Sequence, residues 1–390
     1  MKRVLLAKHL ITPEKLILDG ALVYEDEKIV AVGYRNTIPI PSDAEVTDYG
    51  EAWISPGFID IHIHGCKGGS VDITAEDVKI LSDYVAESGC TAICPSITIT
   101  DLKRALTNVA DAIDDQKKTP LTGAEIIGIH MEGPFWAPKK LDLGYQTGTV
   151  DGCIAPTKEL IDEAIQLSRG YLKRMDFGLE WDHVYEMIAY ARSKGILCSV
   201  AHTQKGYDEL QRANEVGITH GSHLFNVMTG LHHRRPGVVG GLLTNDNMTT
   251  EVICDGLHLH PAAIDVAIRC KGAEHLAMIT DLCAGGIPDG DYGDRIIKDG
   301  ICRLKGTTAD QDNTLAGSTK RIDTGIRTVL GLGYPMQTAV RMASLTPATI
   351  IGIDDRKGSL RSGKDADIAV FTDRVEILET IVRGTTVYKV

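Results

Sequence analysis

The stretch FIDIHIH, residues 58–64, is an apolar, strand-like run that ends in two histidines. Seven further apolar runs follow it along the chain, and amphipathic helical segments separate many of them. The eight runs cover residues 58–64, 91–98, 126–132, 173–179, 197–202, 218–224, 250–255 and 276–281. Strands that alternate with helices are typical of parallel βαβ units, and eight such units over about 300 residues predict an α/β fold, a (β/α)8 barrel of the TIM type.

Both ends of the chain have a different pattern, with short β-rich segments such as 21–24, 28–33 and 366–371 between turn residues. Neither end is long enough to form an independent β domain, so we expect the two ends to build one small β-sandwich together. The predicted domains are this sandwich, residues 1–54 plus 357–390, and the barrel, residues 55–356. Residues 284–316 are rich in Gly and Asp and predict an inserted loop or hairpin.

Composition and charge exclude several classes of protein. Among 390 residues, Lys plus Arg total 41 and Asp plus Glu total 53, which gives a formal net charge of −12. An acidic chain is a poor candidate for binding nucleic acid or an anionic membrane. We identify neither a signal peptide nor an apolar run of the ~20 residues needed to span a bilayer. Nine scattered cysteines without a CxxC pair indicate reduced thiols, so we expect a cytoplasmic protein.

Histidine and acidic residues cluster at the C-terminal ends of the strand-like runs, where barrel enzymes place their active sites. In a strand, residues two apart face the same side, so the two histidines of the first run can reach one ion. Nitrogen and carboxylate donors together suit Zn²⁺ or Fe²⁺. The candidate metal ligands are His62, His64, Glu132, His202, His223 and Asp281.

This ordered set resembles the amidohydrolase superfamily, and local strings resemble its N-acetylglucosamine-6-phosphate deacetylase family. The strings occur in the family's order over almost the whole chain. They are Ser55-Pro56-Gly57-Phe58-Ile59-Asp60, His130-Met131-Glu132-Gly133-Pro134-Phe135, His223-Leu224-Phe225-Asn226-Val227-Met228, Asp255-Gly256-Leu257-His258, Leu315-Ala316-Gly317-Ser318 and Ala366-Asp367-Ile368-Ala369.

The resemblance implies hydrolysis of an acetamide on a phosphorylated amino sugar, a small-molecule substrate, by a homodimer with one or two divalent ions per chain. Glu132, His202 and His223 match the ligands of the metal that all members keep. His62 and His64 match the positions that hold a second metal in some members.

The resemblance also implies the residues that act on the substrate. Asp281 matches the catalytic base, and His258 matches the residue that polarises the substrate carbonyl. Asn226 and Val227 match a main-chain phosphate cradle. Arg234 matches an arginine that reaches a phosphate in the neighbouring subunit's site, and its planar, always-charged fork suits that ligand.

Three strings depart from the family's pattern at positions that face the substrate. Residues 139–145 lack the usual His, residues 177–180 read Phe-Gly-Leu-Glu instead of ending in Ala-Pro-Glu, and Leu282-Cys283 replaces an Ala after Asp281. Two alternatives therefore stay open: an amidohydrolase of another N-acyl or cyclic amide, and a non-catalytic, metal-stabilised binding protein. Asp281 argues against the second alternative, because a purely structural metal site needs no free base.

Overall fold

The structure is a computed structural model that describes residues 2–98, 101–137, 141–142, 147–148, 153–293, 295–305 and 315–390, with only the main chain at 141–142 and 147–148. The departure predicted around Lys139, Lys140 and Gly144 lies outside the described residues. In chain order the strands are β1 (Lys2–Ile11), β2 (Leu16–Glu25), β3 (Lys28–Tyr34), β4 (Glu45–Asp48), β5 (Trp53–Pro56), β6 (Phe58–Ile63), β7 (Gly65–Cys66), β8 (Gly69–Ser70), β9 (Cys90–Ile97), β10 (Glu125–Ile126), β11 (Ile129–Met131), β12 (Leu141–Asp142), β13 (Thr147–Gly148), β14 (Leu172–Phe177), β15 (Leu197–Val200), β16 (Ile218–Gly221), β17 (Thr249–Ile253), β18 (Leu276–Ile279), β19 (Gly290–Asp291), β20 (Arg295–Lys298), β21 (Ile301–Leu304), β22 (Ile368–Phe371), β23 (Ile377–Val382) and β24 (Thr385–Lys389).

Helices follow most of the barrel strands, and polar side chains start several of them. Thr74, Asp101 and Thr157 each precede a helix and accept a hydrogen bond from a main-chain N–H of its first turn, which satisfies a donor that the helix itself leaves unpaired. The helices are α1 (Ala75–Ala86), α2 (Leu102–Gln116), α3 (Lys158–Leu167), α4 (Val184–Ser193), α5 (Tyr207–Val216), α6 (Gly237–Thr244), α7 (Pro261–His275, interrupted at Gly272), α8 (Ile322–Gly331), α9 (Met336–Ala343) and α10 (Leu345–Ile350). Among the described residues, every helix is too short or too polar to span a bilayer.

The barrel consists of eight parallel strands in the order β6, β9, β11, β14, β15, β16, β17 and β18, with β10 as a short additional partner of β9. The barrel nearly closes, since a parallel bridge joins Ile63 at the end of β6 to Leu282 just after β18. Each of these strands lies within one of the eight predicted runs or differs from it by one residue at the start. The predicted (β/α)8 barrel is therefore confirmed.

Strands from both chain ends form one eight-stranded sheet, in the order β24, β23, β22, β5, β1, β2, β3, with β4 also paired to β1. Its apolar core combines side chains from the two ends, including Leu5, Leu22, Ile54, Ile368 and Ile381. The small β domain built from both termini is thus present, whereas its boundaries at residues 54 and 357 remain predictions.

A buried ion cluster joins the barrel to the C-terminal segment. The Lys357 side chain is 0% exposed, and its Nζ lies 2.6 Å from Glu125 Oε2 of β10 and 3.5 Å from Asp365 Oδ2. It also pairs with the buried Asp367. Carboxylates on several sides balance the ammonium, which could not be buried alone.

Part of the predicted insertion folds over the mouth of the barrel. Strands β19, β20 and β21 form a small antiparallel sheet in which Ile297 pairs with Cys302. The chain then returns through Gly317 (φ 70°), where a Cβ atom would lie 2.6 Å from the sulfur of Cys283, so glycine is required. This return brings the Ser318 N–H to the carbonyl of Asp281 at 2.7 Å.

Candidate active site

Most of the predicted site residues lie at or just beyond the C-terminal ends of barrel strands. Glu132 and His64 directly follow β11 and β6, whereas His202, His223 and Asp281 each lie two residues beyond β15, β16 and β18. The last three have left-handed main chains, with φ of 45°, 30° and 51°. Residues other than glycine adopt this left-handed φ/ψ region at a cost in conformational energy, and such strain is concentrated at functional sites.

Glu132 stands at the centre of two groups of side chains whose ligating atoms all lie within 4.8 Å of one another. In the first group, His202 Nε2 lies 3.0 Å and His223 Nε2 lies 3.2 Å from Glu132 Oε1. The two Nε2 atoms are 3.1 Å apart. Three donors that converge on one point in this way fit a divalent cation between them.

The second group joins the two histidines of β6 to the same glutamate. His62 Nε2 lies 3.5 Å from Glu132 Oε1, and His64 Nε2 lies 3.4 Å from Glu132 Oε2. Because the two groups share Glu132, this carboxylate could contribute a ligand to an ion in each group. The arrangement of paired-metal hydrolases, with ions ~3.5–4 Å apart, has this form.

The electrostatics of the site also fit a cation. His62 Nε2 is buried and makes no hydrogen bond among the described residues. Burial opposes charge on His62, but Glu251 and Glu132 outweigh it and raise the pKa of this imidazole well above its usual value. Burial likewise opposes charge on Glu132, yet the surrounding histidines, His62 first, hold its pKa well below the usual range. A divalent cation would replace the proton that the carboxylates favour here.

Asp281 lies beside the two groups but belongs to neither of them. Its Oδ1 is 3.0 Å from His64 Nε2 and 3.9 Å from His62 Nε2, and its side chain is 17% exposed. Burial alone would raise the pKa of Asp281, but its hydrogen bond to His64 lowers it below the usual value. The carboxylate is therefore ionised at neutral pH.

His258 is oriented by a neighbouring carboxylate. Its Nδ1 lies 2.8 Å from Asp255 Oδ2, and Ser318 Oγ donates to the same oxygen at 3.1 Å. Burial disfavours the imidazolium, but Asp255 outweighs this and raises the pKa of His258, to which Asp281 also contributes. The Nδ1 contact leaves Nε2 as the second nitrogen available for a hydrogen bond.

The predicted phosphate residues lie around the loop that follows His223. Asn226 is buried, and Val227 (φ 50°) accepts a hydrogen bond on its carbonyl from the Thr203 N–H at 3.2 Å. Arg234 is in an exposed turn and does not line the cavity above Glu132. Arg234 is therefore not among the described residues around the metal groups of its own chain, and its role in a neighbouring subunit's site stays a prediction.

The mouth of the barrel opens into a cavity of ≈ 590 Å³. Its floor includes His64, Glu132, His202 and Asp281, and its outer wall comes from the β19–β21 sheet. The wall residues are Tyr292, Arg295, Ile297 and Cys302. Arg295 was not predictable as a cavity residue, because an arginine in a Gly- and Asp-rich insertion carries no sequence signal of its own.

Sequence analysis also missed a buried polar network beneath the floor. Arg174 and Asp176 of β14 and Glu251 of β17 are all 0% exposed, and Arg174 bonds to both carboxylates. His130 and His220 also belong to this network. The signal was present in the sequence, since charged residues inside apolar strand runs are rarely buried without partners.

The fold and the site agree with the comparison to known families. The Amidohydrolase family model matches residues 53–387. The chain therefore belongs to the amidohydrolase family, and it is a hydrolase that acts on amide carbon–nitrogen bonds.

Individual relatives place it within that family. It is 33% identical over 97% of its length to the N-acetylglucosamine-6-phosphate deacetylase of Bacillus subtilis (strain 168), of which 95% is covered. It is 30% identical over 98% of its length to the N-acetylgalactosamine-6-phosphate deacetylase of Escherichia coli O157:H7, of which 99% is covered. A mutant of the Mycobacterium smegmatis N-acetyl-D-glucosamine-6-phosphate deacetylase, solved in complex with N-acetyl-D-glucosamine-6-phosphate, superposes with a TM-score of 0.89 at 28% identity, and the match covers 100% of both chains. The predicted membership of the N-acetylglucosamine-6-phosphate deacetylase family is confirmed.

Proposed function

We propose that this protein is a metal-dependent deacetylase of an N-acetylated amino-sugar 6-phosphate, either N-acetylglucosamine 6-phosphate or an epimer. The observation that carries the proposal is the pair of ligand groups that meet on Glu132, with Asp281 beside them at the floor of the cavity at the barrel mouth. The products are acetate and the free amino-sugar phosphate.

The ligands of the proposed metal site are Glu132, His202 and His223 for one divalent ion, and His62 and His64 with Glu132 for a second. Nitrogen and oxygen donors favour Zn²⁺ or Fe²⁺ at both positions. Such an ion lowers the pKa of a bound water from ~15.7 toward ~7 and so supplies hydroxide at neutral pH.

Asp281 and His258 perform the proton and charge transfers. Asp281 accepts a proton from the water while the water oxygen forms a bond to the amide carbon. Asp281 then gives that proton to the amide nitrogen as the carbon–nitrogen bond breaks. His258 donates a hydrogen bond from Nε2 to the carbonyl oxygen, which stabilises the negative charge that develops there. The raised pKa of His258 favours the protonated form that can donate from this nitrogen.

We propose that the main chain at Asn226 and Val227 binds the substrate phosphate together with Arg234 of a neighbouring subunit. An acidic chain needs a dedicated local site for a dianion, and a loop that leaves a strand end can offer N–H groups to it. The homodimer that this arrangement requires and the cytoplasmic location stay predictions.

A deacetylation screen tests the proposal. Zinc-loaded protein is assayed for acetate release from N-acetylglucosamine 6-phosphate, its galactosamine and mannosamine epimers, and the three unphosphorylated sugars. We expect turnover of at least one phosphorylated sugar and its loss after chelation. Turnover of none of the six compounds would favour an amidohydrolase of another amide.

A further inference from the structure

Beneath the cavity floor, Glu251 of β17 is a buried carboxylate that no step of the proposed reaction uses. It contacts one histidine of each ligand group: Oε1 lies 2.6 Å from His62 Nδ1 and accepts the main-chain N–H of His223 at 3.2 Å. We propose that Glu251 is a positioning residue that orients both histidines, so that both metal positions depend on it. The inference rests on the metal site of the proposed function.

The contact with His62 selects which ring nitrogen is left to face Glu132. A neutral imidazole has one protonated and one bare nitrogen, and the hydrogen bond of the first decides which one is bare. Because Glu251 accepts at Nδ1, a neutral His62 keeps its proton on Nδ1, and Nε2, on the side of Glu132, is the nitrogen left to ligate an ion. This Nε2 is the buried atom that makes no hydrogen bond among the described residues.

The contact with His223 acts on the main chain. His223 has a φ of 30°, a conformation that persists only when surrounding contacts hold it. Glu251 supplies two of these contacts, since its side chain accepts the His223 N–H and its own carbonyl accepts the Leu224 N–H at 2.8 Å. The turn held in this way aims His223 Nε2 at Glu132.

Glu251 is itself fixed in orientation. Arg174 binds it with two nitrogens, Nη1 at 2.6 Å from Oε2 and Nη2 at 2.9 Å from Oε1. His220 Nε2 lies 3.2 Å from Oε2. This bidentate pair and the neighbouring imidazole keep the carboxylate ionised and immobile, as a group that orients two ligands must be.

The remaining histidine ligands depend on other contacts. His64 Nδ1 bonds to the Ser96 carbonyl at 2.9 Å, and the His202 ring stacks on Trp136 with the ring centres 4.0 Å apart. Removing the Glu251 contacts should therefore weaken each ligand group by one histidine while the others keep their positions.

The decisive variant is Glu251→Gln, in which an amide replaces the carboxylate at nearly the same size. Its NH2 group faces the guanidinium of Arg174 in either orientation. At the Oε2 position it also faces His220 Nε2, and at the Oε1 position it also faces His62 Nδ1 and the main-chain N–H of His223. In the second case it donates to Nδ1 and moves the His62 proton to Nε2, where it blocks ligation. We expect the affinity for Zn²⁺ to fall ~10- to 100-fold at both positions, the range seen when such supporting contacts are lost. Zinc is measured by elemental analysis after dialysis against buffered free Zn²⁺.

Asp176→Asn is the matched control. Asp176 is equally buried and bonds to the same Arg174, but its other hydrogen-bond and ion-pair partners among the described residues are Ser222 and His130 rather than His62 or His223. The same change of a buried carboxylate to an amide should therefore leave zinc affinity near that of the wild type. Glu251→Asp is the second variant, since it keeps the charge for Arg174 while its shorter side chain withdraws from His62. Thermal unfolding of the metal-free proteins reports folding separately.

Three results decide the question. Weakened zinc binding in both Glu251 variants with a normal Asp176→Asn protein supports the inference. Wild-type affinity in folded Glu251→Gln or Glu251→Asp protein, or an equal loss in Asp176→Asn, overturns it. A wild-type protein that binds no zinc would instead overturn the proposed metal site.

Discussion

Replacing Asp281 by Asn separates the chemistry of the site from its metal binding. The two side chains have nearly the same shape, so the cavity keeps its form, but an amide cannot accept the proton of the attacking water. General acid–base groups contribute typically ~10²–10⁴-fold, so we expect kcat to fall by that factor, about 2.7–5.4 kcal/mol of activation free energy. Neither ligand group contains Asp281, so zinc content should stay at the wild-type level.

The assay is steady-state acetate release at saturating substrate, with zinc measured by elemental analysis in the same preparations. Asp72→Asn is a suitable control, because Asp72 lines the same cavity but bonds to Thr98, with its Oδ1 3.0 Å from the Thr98 N. This control should keep kcat within a few-fold of the wild type. Near-normal kcat in a fully metallated Asp281→Asn protein would refute the role of Asp281 as the base. A loss of zinc that parallels the loss of kcat would identify Asp281 as a ligand instead.

Other predictions concern the metals, the phosphate and the domain junction. Protein saturated with Zn²⁺ should contain about two ions per chain, and replacing both His62 and His64 with Ala should lower this toward one; elemental analysis that finds one ion in both proteins would exclude the paired site. Chelation should abolish acetate release and added Zn²⁺ should restore it, whereas turnover by protein shown to be free of metal would contradict metal dependence. Arg234→Ala should lower kcat/KM for a phosphorylated substrate ~10- to 100-fold relative to its unphosphorylated twin, and an unaltered ratio would remove this residue from the phosphate site. Lys357→Met should destabilise the protein by ~3–5 kcal/mol in urea unfolding, because Asp367 and its neighbours lose a buried partner; a change below ~1 kcal/mol would show that the cluster relaxes or admits water.

The barrel was predictable from the sequence because its signals are local. Most of these strands, such as β9 and β18, are largely apolar runs of a few residues, and a helical segment follows most of them. The order of strands around a parallel barrel then follows the order along the chain, so a count of eight runs was enough to predict the architecture.

Much of the candidate site was predictable for the same reason. His62, His64, Glu132 and Asp281 lie at strand ends, and the fold gathers the carboxyl ends of parallel strands at one mouth. Their chemical types indicate a metal-assisted hydrolysis, and the strings around them indicate the family. The position of each residue at the end of its strand was therefore enough to predict that it lies in the site.

The contacts that orient these residues come from the tertiary structure alone. Glu251 meets His62 across 189 residues of sequence, and Arg295 reaches the cavity only because β20 and β21 fold over the barrel mouth. Neither contact follows from periodicity or spacing, because each depends on the distance and direction between elements that the sequence places far apart. The sequence by itself determined the barrel and the kinds of ligand at its mouth. The packing of strands against one another decided which buried carboxylate contacts two of those ligands and which cation lines the cavity.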